Sequence, residues 1–205
     1  MKCYYMDVRV FEDPERFAAG YRLVSSRRRE KIDRSKIPSD KRLLLGAGIL
    51  ETKLPVPMTG EGEPQITYNE HEKPFLPEES HLYYNLSHSG HYTVMAVSSQ
   101  LCGVDVEKVH VSFRSIAKHF YTETENRAVE DAQSPEDMFL RIWTRKESYL
   151  KMTGEGLSRE LRSFDVWPDA PEGCRFFEHV LEDYRICVCC PEGESEEPME
   201  QVLFC

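Results

Sequence analysis

The strongest constraint on this chain is a strand and a helix whose polar residues are spaced to converge. Asp105 and Glu107 stand two apart in Gly103-Val104-Asp105-Val106-Glu107, at the end of an apolar run, so on an extended strand both carboxylates leave the same face. About forty residues later, Trp143, Glu147 and Lys151 stand four apart in Trp143-Thr144-Arg145-Lys146-Glu147-Ser148-Tyr149-Leu150-Lys151, the spacing that shares one helical face. The helix is the best punctuated in the chain, with Ser134 as cap, Pro135 in the first position, Glu136 and Asp137 against the dipole, and Gly154 as a left-handed stop after Met152. Met138, Phe139, Ile142, Trp143 and Leu150 mark its inner side, and a carboxylate and an ammonium beside a core stripe need partners. A hard dication that keeps several waters and binds through a few carboxylates plus substrate phosphates asks for this convergence. Each piece alone has a plainer reading, as a solvated strand end or an ordinary i,i+4 pair.

At 205 residues, with 40% hydrophobic and 30% charged residues, the chain can bury a core as one domain or two small ones. No run approaches the ~18 apolar residues of a membrane span, and Met1-Lys2-Cys3-Tyr4-Tyr5-Met6-Asp7 lacks the apolar stretch of a signal peptide. A cytoplasmic protein without a membrane partner is expected. The seven cysteines have no metal-ligand spacing and read as reduced thiols, several of them in strands. Net charge is −10, yet Arg22, Arg27, Arg28, Arg29, Lys31, Arg34, Lys36, Lys41 and Arg42 crowd into about twenty residues. That cluster is either a solvated helix face or a polyanion site. The acidic remainder would repel a long phosphate backbone, so a small, highly phosphorylated ligand is expected and no nucleic acid.

Cys3–Val10 reads as a strand, Asp13-Pro14-Glu15 as a helix start, and Ser39-Asp40 as a second start leading into Leu43, Leu44, Ala47, Leu50 and Leu54 until Pro55 and Pro57 end it. Residues 55–79 read as a loop with one short strand at Gln65–Tyr68. His81–Leu86 and Tyr92–Val97 flank Ser87-His88-Ser89-Gly90-His91, which predicts a hairpin with that pentapeptide as its turn. Leu101–Val109 is a third strand and Ser115–Phe120 is helix-like, while Val111, Phe113 and Ile116 are either a docking surface for a partner helix or core. Leu161–Trp167, Cys174–Val180, Tyr184–Cys190 and Gln201–Cys205 read as strands of an antiparallel sheet. This order predicts an α+β fold: one unit over 1–205 made of two similar α+β halves, 1–100 and 101–205, in a pseudo-twofold arrangement with the active site between them. A monomer is expected, because both halves lie in one chain.

Together with Asn85-Leu86-Ser87-His88-Ser89-Gly90 upstream and Gly154-Glu155-Gly156-Leu157 behind, the two acidic motifs resemble the 4'-phosphopantetheinyl transferases, and among them the larger, surfactin-synthetase-activating type. The resemblance runs in order from the region Arg27–Lys31 through Leu157 and is weakest in the last forty residues. It implies transfer of the phosphopantetheine arm of coenzyme A to a serine of an apo carrier protein, leaving adenosine 3',5'-bisphosphate. By motif position Asp105, Glu107 and Glu147 would be Mg2+ ligands, and Glu147 would also be the general base. Lys151 would meet a phosphate, Ser87 and His88 would hold the nucleotide phosphates, and Lys73 and Pro74 would belong to a coenzyme A loop. Arg28, Lys31 and Arg42 would grip the 3'-phosphate, and Glu125 would back the metal site from behind. The chain departs from the family pattern at Glu72, where a glycine is expected, and at Leu43, where some relatives carry a small polar residue. Two further readings stay open: a non-catalytic carrier- or nucleotide-binding module, and a different magnesium-dependent phosphotransferase or nuclease built on Asp-x-Glu.

Overall fold

In the computed structural model, which describes residues 1–54, 65–68, 74–77, 80–108, 113–156 and 159–204, β1 (Lys2–Asp7) runs through the first sheet. It pairs antiparallel with β5 (Tyr92–Ser98) and parallel with β9 (Glu200–Gln201). β4 (Tyr83–Ser89) adds to the other side of β5, giving the order β4-β5-β1-β9. The hairpin of β4 and β5 is tighter than the sequence suggested. Ser87, His88 and Ser89 are ladder residues opposite Val94, Thr93 and Tyr92, and only Gly90 and His91 turn. Gly90 takes φ 57°, the left-handed conformation a two-residue turn demands, and this frees three more residues for pairing. Short strands β2 (Thr67–Tyr68) and β3 (Pro74–Phe75) form a separate pair.

Three helices accompany these strands. α1 (Pro14–Leu23) starts where Asp13 accepts the backbone N–H groups of Glu15 and Arg16. α2 (Ser26–Arg34) carries much of the basic cluster on a helix capped by Ser25. α3 (Pro38–Glu51) begins at Pro38, slightly before the Ser39-Asp40 start, and packs Leu45, Ile49 and Leu50 into the core above β1, β4 and β5.

A second sheet, of three antiparallel strands, is also packed against helix. Its order is β6 (Gly103–Lys108), β8 (Tyr184–Pro191), β7 (Cys174–Leu181). α6 (Pro135–Thr153) lies across β6 and β8 and stops at Gly154, φ 78°, as the sequence predicts; Ser134 holds the cap position without a side-chain bond. α4 (Phe113–Phe120) and α5 (Glu123–Asp131) cover the other side of α6. Phe113 is buried against Phe139 and Ile116 packs on the same cluster, so both belong to the core; Val111 lies outside the described residues. The predicted strand 161–167 is instead a short 3₁₀ turn, Leu161–Ser163, followed by irregular chain. Its carbonyls at Leu161, Phe164 and Val166 accept from Lys146 and Arg145 rather than from a neighbouring strand. The final predicted strand is reduced to β9, with Cys205 outside the described residues. The six described cysteines are free, and no described helix is long and apolar enough to cross a membrane.

Candidate active site

Alternation along β6 sends Val104 and Val106, both fully buried, into a core shared with Val94 and Ala96 of β5 and Ile186 and Val188 of β8. The opposite face carries Gly103, Asp105 and Glu107 toward α6. A Cβ at position 103 would lie 2.1 Å from the Ser148 carbonyl oxygen and 2.3 Å from the Met152 nitrogen, so glycine lets the helix rest directly on the strand. This contact brings Lys151 over Asp105. Lys151 Nζ donates to Asp105 Oδ1 at 2.6 Å and to Ser87 Oγ at 2.9 Å, and Ser87 Oγ donates to the same Asp105 oxygen at 2.9 Å. Asp105 Oδ2 is buried with no hydrogen-bond partner among the described residues. Nearby, Ser89 Oγ donates to Glu107 Oε2 at 2.8 Å. Burial, then the negative charges of Asp105 and Glu107, push the Glu147 carboxyl above its usual range, with Lys151 opposing.

These groups line a cavity of about 490 Å³ with Leu86, His88, Phe120, Trp143 and Leu161. It shares Leu86, His88 and Lys151 with a second cavity of about 360 Å³, so the two form one cleft. The second cavity is walled by Arg28 and Lys31 of α2, Leu44, Ala47 and Glu51 of α3, Tyr68, Pro74 and Asn85, with Gly154 and Gly156 beyond the end of α6. Arg28 is buried and held by Glu51 through two bonds, 2.6 and 3.2 Å, while the Tyr84 hydroxyl donates to Glu51 at 3.2 Å. Arg27 lies over the Tyr68 ring at 3.8 Å, and Lys31 at 5.3 Å. The crowding of the cleft walls, then the charge of Lys151, hold the His88 imidazole below its usual pKa.

Of the residues singled out by sequence, Asp105, Glu107, Glu147, Lys151, Ser87 and His88 meet at the first cavity, and Arg28, Lys31 and Pro74 line the second. Arg42 stands elsewhere, 3.7 Å from Glu12. Lys73 and Glu72 lie outside the described residues. Leu43 is in the core, and its neighbour Leu44 faces the cleft. Glu125 does not reach the three carboxylates with its own. It is fully buried, accepting from Lys146 Nζ at 2.9 Å, Thr122 N at 3.0 Å and Val166 N at 3.0 Å. Lys146, equally buried, also donates to the carbonyls of Leu161 at 2.7 Å and Phe164 at 2.6 Å, and burial lowers its pKa against the pull of Glu125. This pair locks α5 and the segment after Leu161 onto α6. Sequence reasoning passed over Lys146, although its four-residue spacing from Ile142 and Leu150 puts it in the core stripe. It also passed over Ser89, hidden by the misplaced turn.

As the side chains stand, no group of three or more His, Cys, Asp or Glu among the described residues is set to hold a metal ion, and Lys151 sits on Asp105 instead. The donor chemistry nevertheless fits a hard dication, with three carboxylates about one cavity and a buried Asp105 oxygen that has no hydrogen-bond partner among the described residues. Residues 101–190 match the model of the 4'-phosphopantetheinyl transferase superfamily. The chain is 30% identical over 223 residues to the 4'-phosphopantetheinyl transferase Sfp of Bacillus subtilis (strain 168), covering all of this chain and 98% of that protein. It is 33% identical over 226 residues to another 4'-phosphopantetheinyl transferase of Bacillus subtilis, again covering 98% of it. The 4'-phosphopantetheinyl transferase gsp of Aneurinibacillus migulanus is 36% identical over 136 residues, 60% of this chain and 56% of that protein.

Proposed function

The chain belongs to the 4'-phosphopantetheinyl transferase superfamily, and from that premise we propose that it moves the 4'-phosphopantetheine of coenzyme A onto a serine of an apo carrier protein. The observation that carries this reading is one cleft with two chemically different ends, cationic and aromatic at Arg28, Lys31 and Tyr68, carboxylate-lined at Asp105, Glu107 and Glu147, with Lys151 and His88 at the junction. A nucleotide that carries a diphosphate and a further phosphate spans such a cleft. The net charge of −10 speaks for this small ligand over nucleic acid. We take the protein as a monomer of two α+β halves, 1–100 and 101–205, related by an approximate twofold with the cleft between them.

Asp105, Glu107 and Glu147 would hold a magnesium ion, which when bound supplies Lewis-acid stabilisation of phosphoryl charge. Glu147, on the wall of the same cavity, would take the proton of the carrier serine. The serine oxygen attacks the β-phosphorus of coenzyme A, the bond from that phosphorus to the bridging oxygen breaks, and adenosine 3',5'-bisphosphate departs. Lys151 neutralises charge developing on the departing α-phosphate, and His88 beside it orients that phosphate. Lys31 and the Arg28–Glu51 unit fix the nucleotide end; Lys73, by its motif position, joins them. The test is incubation with coenzyme A, magnesium and a panel of apo carriers, followed by intact mass. A phosphopantetheine-sized gain on a carrier is expected, and no gain on any carrier overturns the reading.

A further inference from the structure

The two halves meet along β4 and β6, and that seam is not built as a sheet. β6 pairs through its backbone with β8 on one side. On the other, side chains of β4 take the place of a neighbouring strand. Asn85 Oδ1 accepts from Val104 N at 2.9 Å, and Ser87 Oγ accepts from Val106 N at 3.4 Å. Two residues further, Ser89 Oγ donates to Glu107 Oε2 at 2.8 Å. Positions 85, 87 and 89 share one face of β4, and their partners advance along β6 in the same order, from Val104 through Val106 to Glu107.

A backbone neighbour would also satisfy the Val104 and Val106 N–H groups, but it would draw the strands to ~4.8 Å and leave no room for side chains between them. Using side chains keeps the strands further apart and delivers a hydroxyl to each carboxylate. A carboxylate that holds a cation must keep one orientation, and a hydrogen bond to one of its oxygens imposes that orientation. Ser87 plays this part for Asp105 while also accepting from Lys151; Ser89 meets Glu107.

We propose that Asn85, Ser87 and Ser89 form a polar seam that sets the second half against the first, and that Ser89 is a positioning residue that orients Glu107 for divalent-cation binding. The inference rests on the metal reading above, and its test reads the cation directly. Manganese affinity is measured by titration calorimetry without coenzyme A or carrier, beside the melting temperature and the kinetics of transfer. Ser89→Ala is expected to weaken manganese binding about tenfold and to lower kcat similarly, with KM for coenzyme A within about twofold and melting nearly unchanged. Ser89→Thr, which keeps the hydroxyl, restores both. In a Glu107→Gln background Ser89→Ala is expected to add little, since the group it orients has already lost its charge. Asn85→Ala strands the Val104 N–H and is expected to lower both melting and manganese affinity. Manganese binding by Ser89→Ala equal to the unaltered protein, or a change in melting alone, overturns the role of Ser89. Absence of manganese binding by the unaltered protein overturns it as well. A protein that binds manganese in a Ser89-dependent way yet modifies no carrier supports the seam and removes the transferase reading instead.

Discussion

Lys146 and Lys151 leave one helix five residues apart, and each meets a carboxylate from another element. The Lys146–Glu125 pair is sealed: both side chains have no exposed surface, the ammonium has three acceptors, and both Glu125 oxygens are bonded. The Lys151–Asp105 pair is open on one side, with Lys151 28% exposed and one Asp105 oxygen unmatched. A buried pair stands only where every donor and acceptor is satisfied, because desolvation costs as much as the attraction returns. A pair at a cleft wall with an oxygen to spare has room for a ligand in its coordination. The comparison teaches that completeness of bonding, more than charge or proximity, separates the lysine that holds the fold from the one that lines the cleft.

The contrast can be broken at several points. Glu147→Gln carries the largest expected effect, a loss of transfer of about 10⁴-fold or more, since a general base alone contributes up to ~10⁴; near-normal turnover by intact-mass assay would sink the assignment. Lys146→Met should cost about 3–5 kcal/mol of unfolding free energy in urea, because it leaves Glu125 charged, buried and alone. Pairing it with Glu125→Leu should recover most of that loss, and a single variant as stable as the parent would contradict the sealed-pair reading. Lys151→Met should do the reverse, lowering kcat about a hundredfold while unfolding shifts by ~1 kcal/mol or less, the worth of a partly exposed pair. The smallest effect concerns acid. Burial opposes ionisation of Glu178, but Arg141 and Arg145 outweigh it and hold its carboxyl at about 2 against a usual 4.5. Its contribution is therefore complete above pH 4.5 and lost as pH falls toward 2, and with the group partly exposed it amounts to about 1–2 kcal/mol. Glu178→Gln should flatten that part of the stability profile.

What could be read from the sequence was strongly periodic. β6 and α6 follow from the spacings of Asp105 with Glu107 and of Trp143, Glu147 and Lys151, and the two strands of the first hairpin from their aromatic and branched residues. The turn was misjudged because serine and histidine look like turn residues, and only the structure shows Ser87 and Ser89 bonded to carboxylates from the paired part of the strand. α5 went unread although Thr122 and Glu125 form a capping box, because its nine residues are mostly charged and carry little apolar period. Leu161, Phe164 and Val166 imitate a strand; only their tertiary partners, Lys146 and Arg145, reveal otherwise. The cationic end of the cleft was legible as a cluster but not as a wall, since α2, α3, β2, β3, β4 and the end of α6 all contribute to it.

Gly103 offers no functional atom, yet it sets a dimension of the site. What a larger residue would strike at 2.1 and 2.3 Å is backbone of α6, which cannot rotate aside as a side chain can. Alanine there would act as a wedge, lifting the helix and carrying Glu147 and Lys151 away from Asp105 by a fraction of the very distances on which their chemistry depends. Misplacement of about 1 Å can cost a hundredfold in rate. A position sensitive to a single added methyl therefore lies under the machinery rather than in it, where a search guided by reactive groups would not look.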